Sequence, residues 1–149
     1  MKQSTAAFAA PVSFTGLGEV KVTDGYCARA MEKEVAYLLK LDVRKLLYYF
    51  YVNAGLAPDA PSSYQGGWEG ALIGGHTLGH YMVALAQAYA NANTSEPSRA
   101  ELKARITYLA AELKRCQDNA VIAGAKAGFL WGAAPAPPYR DNKEAQFDF

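Results

Sequence analysis

Apolar positions recur at helical spacing in four stretches of this chain. In residues 25–40, Cys27, Met31, Val35, Leu38 and Leu39 share one face while Arg29, Glu32, Lys33 and Lys40 occupy the other, and Asp24 stands ready as N-cap. Asp42 caps a second stretch over 43–54, with Leu46, Leu47, Phe50 and Tyr51 apolar. Its run LLYYFYV has strand-like composition, but the capping Asp and the stop at Asn53-Ala54-Gly55 decide for helix. A third helix is predicted over 75–92 and a fourth over 99–118. In the fourth, Leu102, Ile106, Leu109, Leu113 and Cys116 recur at steps of four and three, and Lys103, Arg105, Glu112, Lys114 and Arg115 stay polar. Ser98-Arg99-Ala100-Glu101 reads as its capping box. The short link between the third and fourth helices predicts an antiparallel hairpin.

Around this helical domain, residues 24–131, lie two less regular segments. Residues 1–23 form an N-terminal arm in which Val20 and Val22 alternate with Glu19 and Lys21, enough for a short extended piece but no sheet. Gly128-Phe129-Leu130-Trp131 makes a small aromatic turn, and residues 132–149, with Pro135, Pro137 and Pro138, form a Pro-rich tail. The fold class is therefore all-α.

The third helix differs from the others. No Lys, Arg, Asp or Glu occurs between Glu69 and Glu96, although 19% of the chain is charged. Leu78, Met82, Leu85 and Tyr89 form a large apolar stripe, and Gly79, Ala86 and Ala90 a small-residue flank where another helix can approach. His76, His80 and Gln87 make the narrow polar face, holding both His residues of the chain. A segment with two His, a Gln and several Gly is not a membrane span. It reads as a helix buried on nearly every side, its polar face turned into a cleft. Upstream, Gly66-Gly67-Trp68-Glu69-Gly70 places a large aromatic and a carboxylate in a flexible turn.

Length and composition narrow the function. A chain of 149 residues with 51% hydrophobic content has room for one packed domain. A net charge of +1, without a Lys/Arg cluster, supplies no field for nucleic acid. Cys27 and Cys116 lack metal-ribbon spacing and read as free buried thiols. The first residues lack the apolar run of a complete secretory signal, which suits a cytoplasmic protein and the mature end of an exported one alike.

His76 and His80 stand at i and i+4, a metal-ligand spacing on a helix. Thr77 occupies the position where a zinc protease carries its general-base Glu, and no third ligand stands nearby, so no metal is assigned to this chain. Buried imidazoles with ordinary hydrogen bonds, and a plain helix–helix contact in a small bundle, are the structural alternatives. A non-catalytic helical interaction module is the competing class of function.

YLLKLDVRKLLYYFYVNAGL, GGWEG, GHTLGHYMVALAQAYA, ITYLAAELKRCQ and GFLWGAAP together resemble, from about Phe14 to Pro135, the N-terminal part of the bacterial β-L-arabinofuranosidase-like proteins of glycoside hydrolase family 127. The resemblance implies helical hairpins forming the opening part of an (α/α)6 toroid, in a longer enzyme acting on β-L-arabinofuranosides or related plant-type glycans. It further implies a zinc ion holding a cysteine nucleophile in full-length members. That Cys-rich motif is missing here, so this chain alone is expected to be inactive and to hold no cofactor. The expected partners are an arabinose-containing glycan and the remainder of the full-length chain. By the same resemblance Trp68 and Glu69 would stack on and hydrogen-bond to a sugar, with His76 and His80 as donors to its hydroxyls. A Trp plugging the core and a Glu meeting the helix dipole are the plainer roles for the first two. His76 is expected near the mouth of the cleft, and His80 one turn deeper, in a structural hydrogen bond.

Overall fold

Asp24 and Asp42 each end an extended segment and start a helix. In the computed structural model, which describes residues 14–64 and 74–134, Asp24 accepts from the backbone N–H groups of Tyr26 and Cys27 at 3.0 and 2.9 Å and opens α1, Gly25–Lys40. Asp42 accepts from Arg44 N–H at 3.1 Å and opens α2, Val43–Leu46. α3, Tyr48–Asn53, follows directly. The single helix expected over 43–54 is thus interrupted at Leu47, whose ψ of −8° flattens the turn. Backbone bonds from Leu47 to Val43 and from Tyr51 to Leu47 still cross the break. Leu46, Leu47, Phe50 and Tyr51 are all buried.

Asn53-Ala54-Gly55 stops α3 as the sequence predicts. Gly55 takes φ +73°, its N–H reaches Val52 O, and Leu56 N–H reaches Tyr51 O at 2.9 Å. That paired pattern satisfies carbonyls that the helix end would otherwise leave open.

α4, His76–Ala90, and α5, Glu96–Ile122, form the expected hairpin. α5 starts three residues before the predicted position. Ser95, not Ser98, is the N-cap and accepts from Ser98 N–H at 3.4 Å, with Pro97 in the first turn, where its missing N–H costs nothing. Glu101, expected to close a capping box, instead pairs with Arg105 at 3.5 Å. Leu102, Leu109, Cys116 and Ala120 carry the buried stripe beyond residue 118. All described elements are helices, and none is long and apolar enough to cross a membrane.

The core joins Leu38 of α1, Leu46, Leu47, Phe50 and Tyr51 of α2 and α3, Leu78, Tyr81 and Leu85 of α4, and Leu102, Leu109 and Cys116 of α5. Each full-sized side chain removed from water there contributes about 1.5–3 kcal/mol before entropy is set against it. Cys27, expected as a buried thiol on the α1 stripe, is exposed, because it sits in the first turn of α1, beyond the reach of this core.

Two arginines close helix ends. Arg105 reaches from α5 to the carbonyls of Leu39 and Leu41, at 2.7 Å for the latter, while Tyr81 donates to Leu38 O at 2.8 Å. Arg99 bonds the carbonyls of Tyr89, Asn91 and Thr94, fixing the α4–α5 link. The arm is held to this link: Asn93 exchanges two side-chain bonds with the backbone of Val22, at 2.8 and 2.7 Å, and Leu17 O accepts from Ala92 N–H.

Candidate functional site at the start of helix α4

The charge-free helix is one-sided. Leu78, Tyr81 and Leu85 are buried, and Met82, Ala84, Ala88 and Tyr89 pack partly against the core. His76, His80, Gln87 and the small flank of Gly79, Ala86 and Ala90 are exposed, as is Val83 at 55%. The expectation of burial on nearly every side is therefore corrected. Among the described residues, α5 and α1 pack on α4 from one side, which leaves its other face in solvent. The apolar stripe is where the periodicity placed it, widened by Tyr81.

His76 and His80 meet each other. Their Nε2 atoms lie 2.7 Å apart, their ring centroids 4.3 Å apart, and their planes cross at 72°. One Nε2 carries a hydrogen and donates; the other offers its lone pair. A proton on both Nε2 atoms would set two N–H groups against each other, so this contact needs one imidazole neutral with its hydrogen on Nδ1. His80 is no more buried than His76: both are exposed. The deeper setting expected for His80 is therefore not found, and the bond it makes through Nε2 is to His76 itself. An i, i+4 pair on the outer face of a helix points both rings at the same solvent volume.

The start of α4 is packed from beneath. Gly75 is the N-cap at φ +92°, and a Cβ there would lie 2.9 Å from Phe50 Cζ and 3.0 Å from Gly132 Cα. A Cβ on Gly132 would lie 2.9 Å from Gly75 Cα and inside contact distance of the Phe50 ring. The two glycines and the ring thus close on one another, which only residues without side chains permit. Asn53 holds the other side of this junction, donating to the carbonyls of Tyr49, Trp131 and Ala133 at 2.8, 3.1 and 2.7 Å. The turn containing Phe129 and Trp131 is consequently held against the helix start that carries His76. Sequence reading recognised the aromatic turn but not its place. A possible signal was Asn53, an amide with spare donors at a helix end.

Trp68 and Glu69 lie outside the described residues. Gln87 lies away from the imidazole pair, seven residues past His80 or about 10 Å along the helix. It lines an open groove of about 400 Å³ with Leu17, Met31, Glu34 and Asn91.

The two thiols are on different helices. Burial pushes the Cys116 thiol up to about 11, holding it protonated at neutral pH, the opposite of what a thiolate nucleophile or ligand needs. No group of three or more metal-ligating side chains occurs among the described residues.

The family model of the β-L-arabinofuranosidase GH127 catalytic domain matches residues 19–145, and the chain belongs to that family. No curated protein and no solved structure matches it.

Proposed function

We propose that this chain supplies sugar-contacting surface to a glycoside hydrolase acting on β-L-arabinofuranosides or related plant-type glycans. Trp68, Glu69, His76 and His80 are the contacts, and the nucleophile is absent from the chain. The observation that carries the reading is the exposed imidazole pair on a helix without charge. A sugar hydroxyl, itself both donor and acceptor, can replace the pair's mutual bond by accepting from the one Nε2–H and donating to the other Nε2. The exposed Gly79, Ala86 and Ala90 flank supports it, because a surface helix with no other duty carries Lys and Glu there. Trp68 is the stacking partner and Glu69 the hydrogen-bonding carboxylate.

The residues present do not fit a zinc-held cysteine nucleophile. Two cysteines on separate helices, one buried and protonated, supply no thiolate cluster. Positioning groups without a nucleophile leave the main barrier to glycoside cleavage in place. Isothermal titration of the chain with methyl β-L-arabinofuranoside is expected to show binding that falls in His76→Ala and His80→Ala, while the chain releases no arabinose from an aryl β-L-arabinofuranoside. Binding unchanged in both variants overturns the assignment of the pair, and turnover by the chain alone overturns the absence of a nucleophile.

A further inference from the structure

We propose that His76 and His80 also form a chelating site for a divalent transition-metal ion, nickel or copper ahead of zinc. Spacing at i and i+4 is a weak signal by itself; the structure adds that the two Nε2 atoms converge to 2.7 Å on an exposed helix face. Imidazole–metal bonds of about 2.0–2.1 Å drawn from nitrogens that close together meet at roughly 80°. That is near the right angle between neighbouring ligands in square-planar and octahedral ions. A tetrahedral zinc ion would need the nitrogens roughly 3.3 Å apart, so the pair would have to spread.

The ion takes both rings in their neutral form. The ring that donates in the free pair moves its hydrogen from Nε2 to Nδ1, and both Nε2 lone pairs then face the ion. α4 carries no Lys or Arg to repel a cation. Among the described residues no third His, Cys, Asp or Glu joins the pair. The ion and a sugar hydroxyl would compete for the same nitrogens, yet the chelate does not depend on the sugar reading and is tested apart from it.

Among the described residues the exposed Cys27 thiol is a further soft metal ligand, and the experiment removes it first. The 149-residue chain, free of any affinity tag, is titrated calorimetrically with nickel chloride and with zinc chloride as the Cys27→Ser variant, then with His76→Ala or His80→Ala added. The expected result is one nickel ion per Cys27→Ser chain, bound at least as tightly as zinc. Either His replacement should weaken nickel binding roughly a hundredfold, because a single imidazole loses the effective concentration of its neighbour. In the Cys27→Ser chain, paramagnetic nickel should also broaden the NMR signals of both imidazoles together, a readout that needs no His variant to fold. Absence of broadening at millimolar nickel, binding that survives either His replacement, or binding that disappears with Cys27 would each overturn the proposal.

Discussion

Tyr51 donates its phenolic hydroxyl to Glu112 Oε2 at 2.7 Å, joining α3 to α5, and Arg115 bonds the same oxygen at 3.1 Å. The ring of Tyr51 is almost completely buried, so this is a core residue whose polar tip is satisfied by a half-buried carboxylate. Tyr51→Phe keeps the packing and removes the bond. It is expected to cost about 1.5–3 kcal/mol in urea denaturation, the range for a hydrogen bond to a charged partner.

The same bond sets a dependence on alkaline pH. Burial first, then the hydrogen bond to Glu112, raises the Tyr51 hydroxyl well above the ordinary tyrosine range. In the unfolded chain it ionises near its usual value of about 10. The unfolded state therefore gives up this proton first, and the contribution is complete below about pH 10 and declines as pH rises above it. Melting temperatures measured from pH 9 upward should fall less steeply in Tyr51→Phe than in the parent chain. Equal slopes would show that Tyr51 is not the responsible group.

Glycines at three positions should respond differently to one added methyl. Gly132→Ala meets the Phe50 ring and Gly75, and overpacking of this kind costs about 1–3 kcal/mol. Gly75→Ala adds the strain of φ +92° to a similar clash. Gly79 lies inside α4 with nothing within 4 Å of an added Cβ, so Gly79→Ala is expected to stabilise by about 0.5–1 kcal/mol through helix propensity. Thermal melts of the three variants test the junction between α4 and the 128–134 turn directly. A tolerated Gly132→Ala would show that the junction is looser than described.

Arg105 is the residue most responsible for closing the C-terminal end of α1, which has no glycine stop: its C-cap, Leu41, is extended at ψ 134°. Arg105→Ala strands the carbonyls of Leu39 and Leu41 and takes one partner from the Tyr81 hydroxyl. The expected loss is about 2–3 kcal/mol. Hydrogen exchange should show faster opening in the last turn of α1, while the centre of α5 is less affected. Arg105→Lys should recover little of it, because one ammonium cannot span the fork that the guanidinium fills.

These arginine contacts mark where sequence reading stopped. α1 was legible to the residue because Asp24 and the spacing from Met31 to Leu39 are local signals, and the end of α3 because Asn53-Ala54-Gly55 is one. The start of α5 was misplaced because Ser98 and Glu101 satisfy the capping-box spacing just as Ser95 satisfies the N-cap, and only the backbone decides between them. Arg105 sits in a polar register and reads as a solvated charge. Its guanidinium nevertheless lies on carbonyls of another helix, a partnership more than sixty residues distant in sequence. Tyr81 was passed over because it flanks the main stripe and adjoins His80. In the candidate site, the two imidazoles were visible as an i, i+4 pair, while their mutual bond and exposure depend on ring orientation and on which neighbours cover α4.

Exposure also changes what replacement of the imidazoles should do to stability. His80→Ala removes the bond between the rings from an exposed position. It is expected to shift stability by no more than about 0.5 kcal/mol. A large drop would mean that His80 supports packing.

The most direct measurement of the central claim is a titration of the chain with methyl β-L-arabinofuranoside followed through the imidazole carbon-bound protons of His76 and His80 by NMR. The sequence contains only these two histidines, so their signals are resolved and assigned with one His→Ala variant. The account predicts that both signals move together and saturate on one binding curve, with a smaller response to a sugar alcohol of the same carbon number. Imidazole signals that stay in place while the sugar reaches saturating concentration would contradict it.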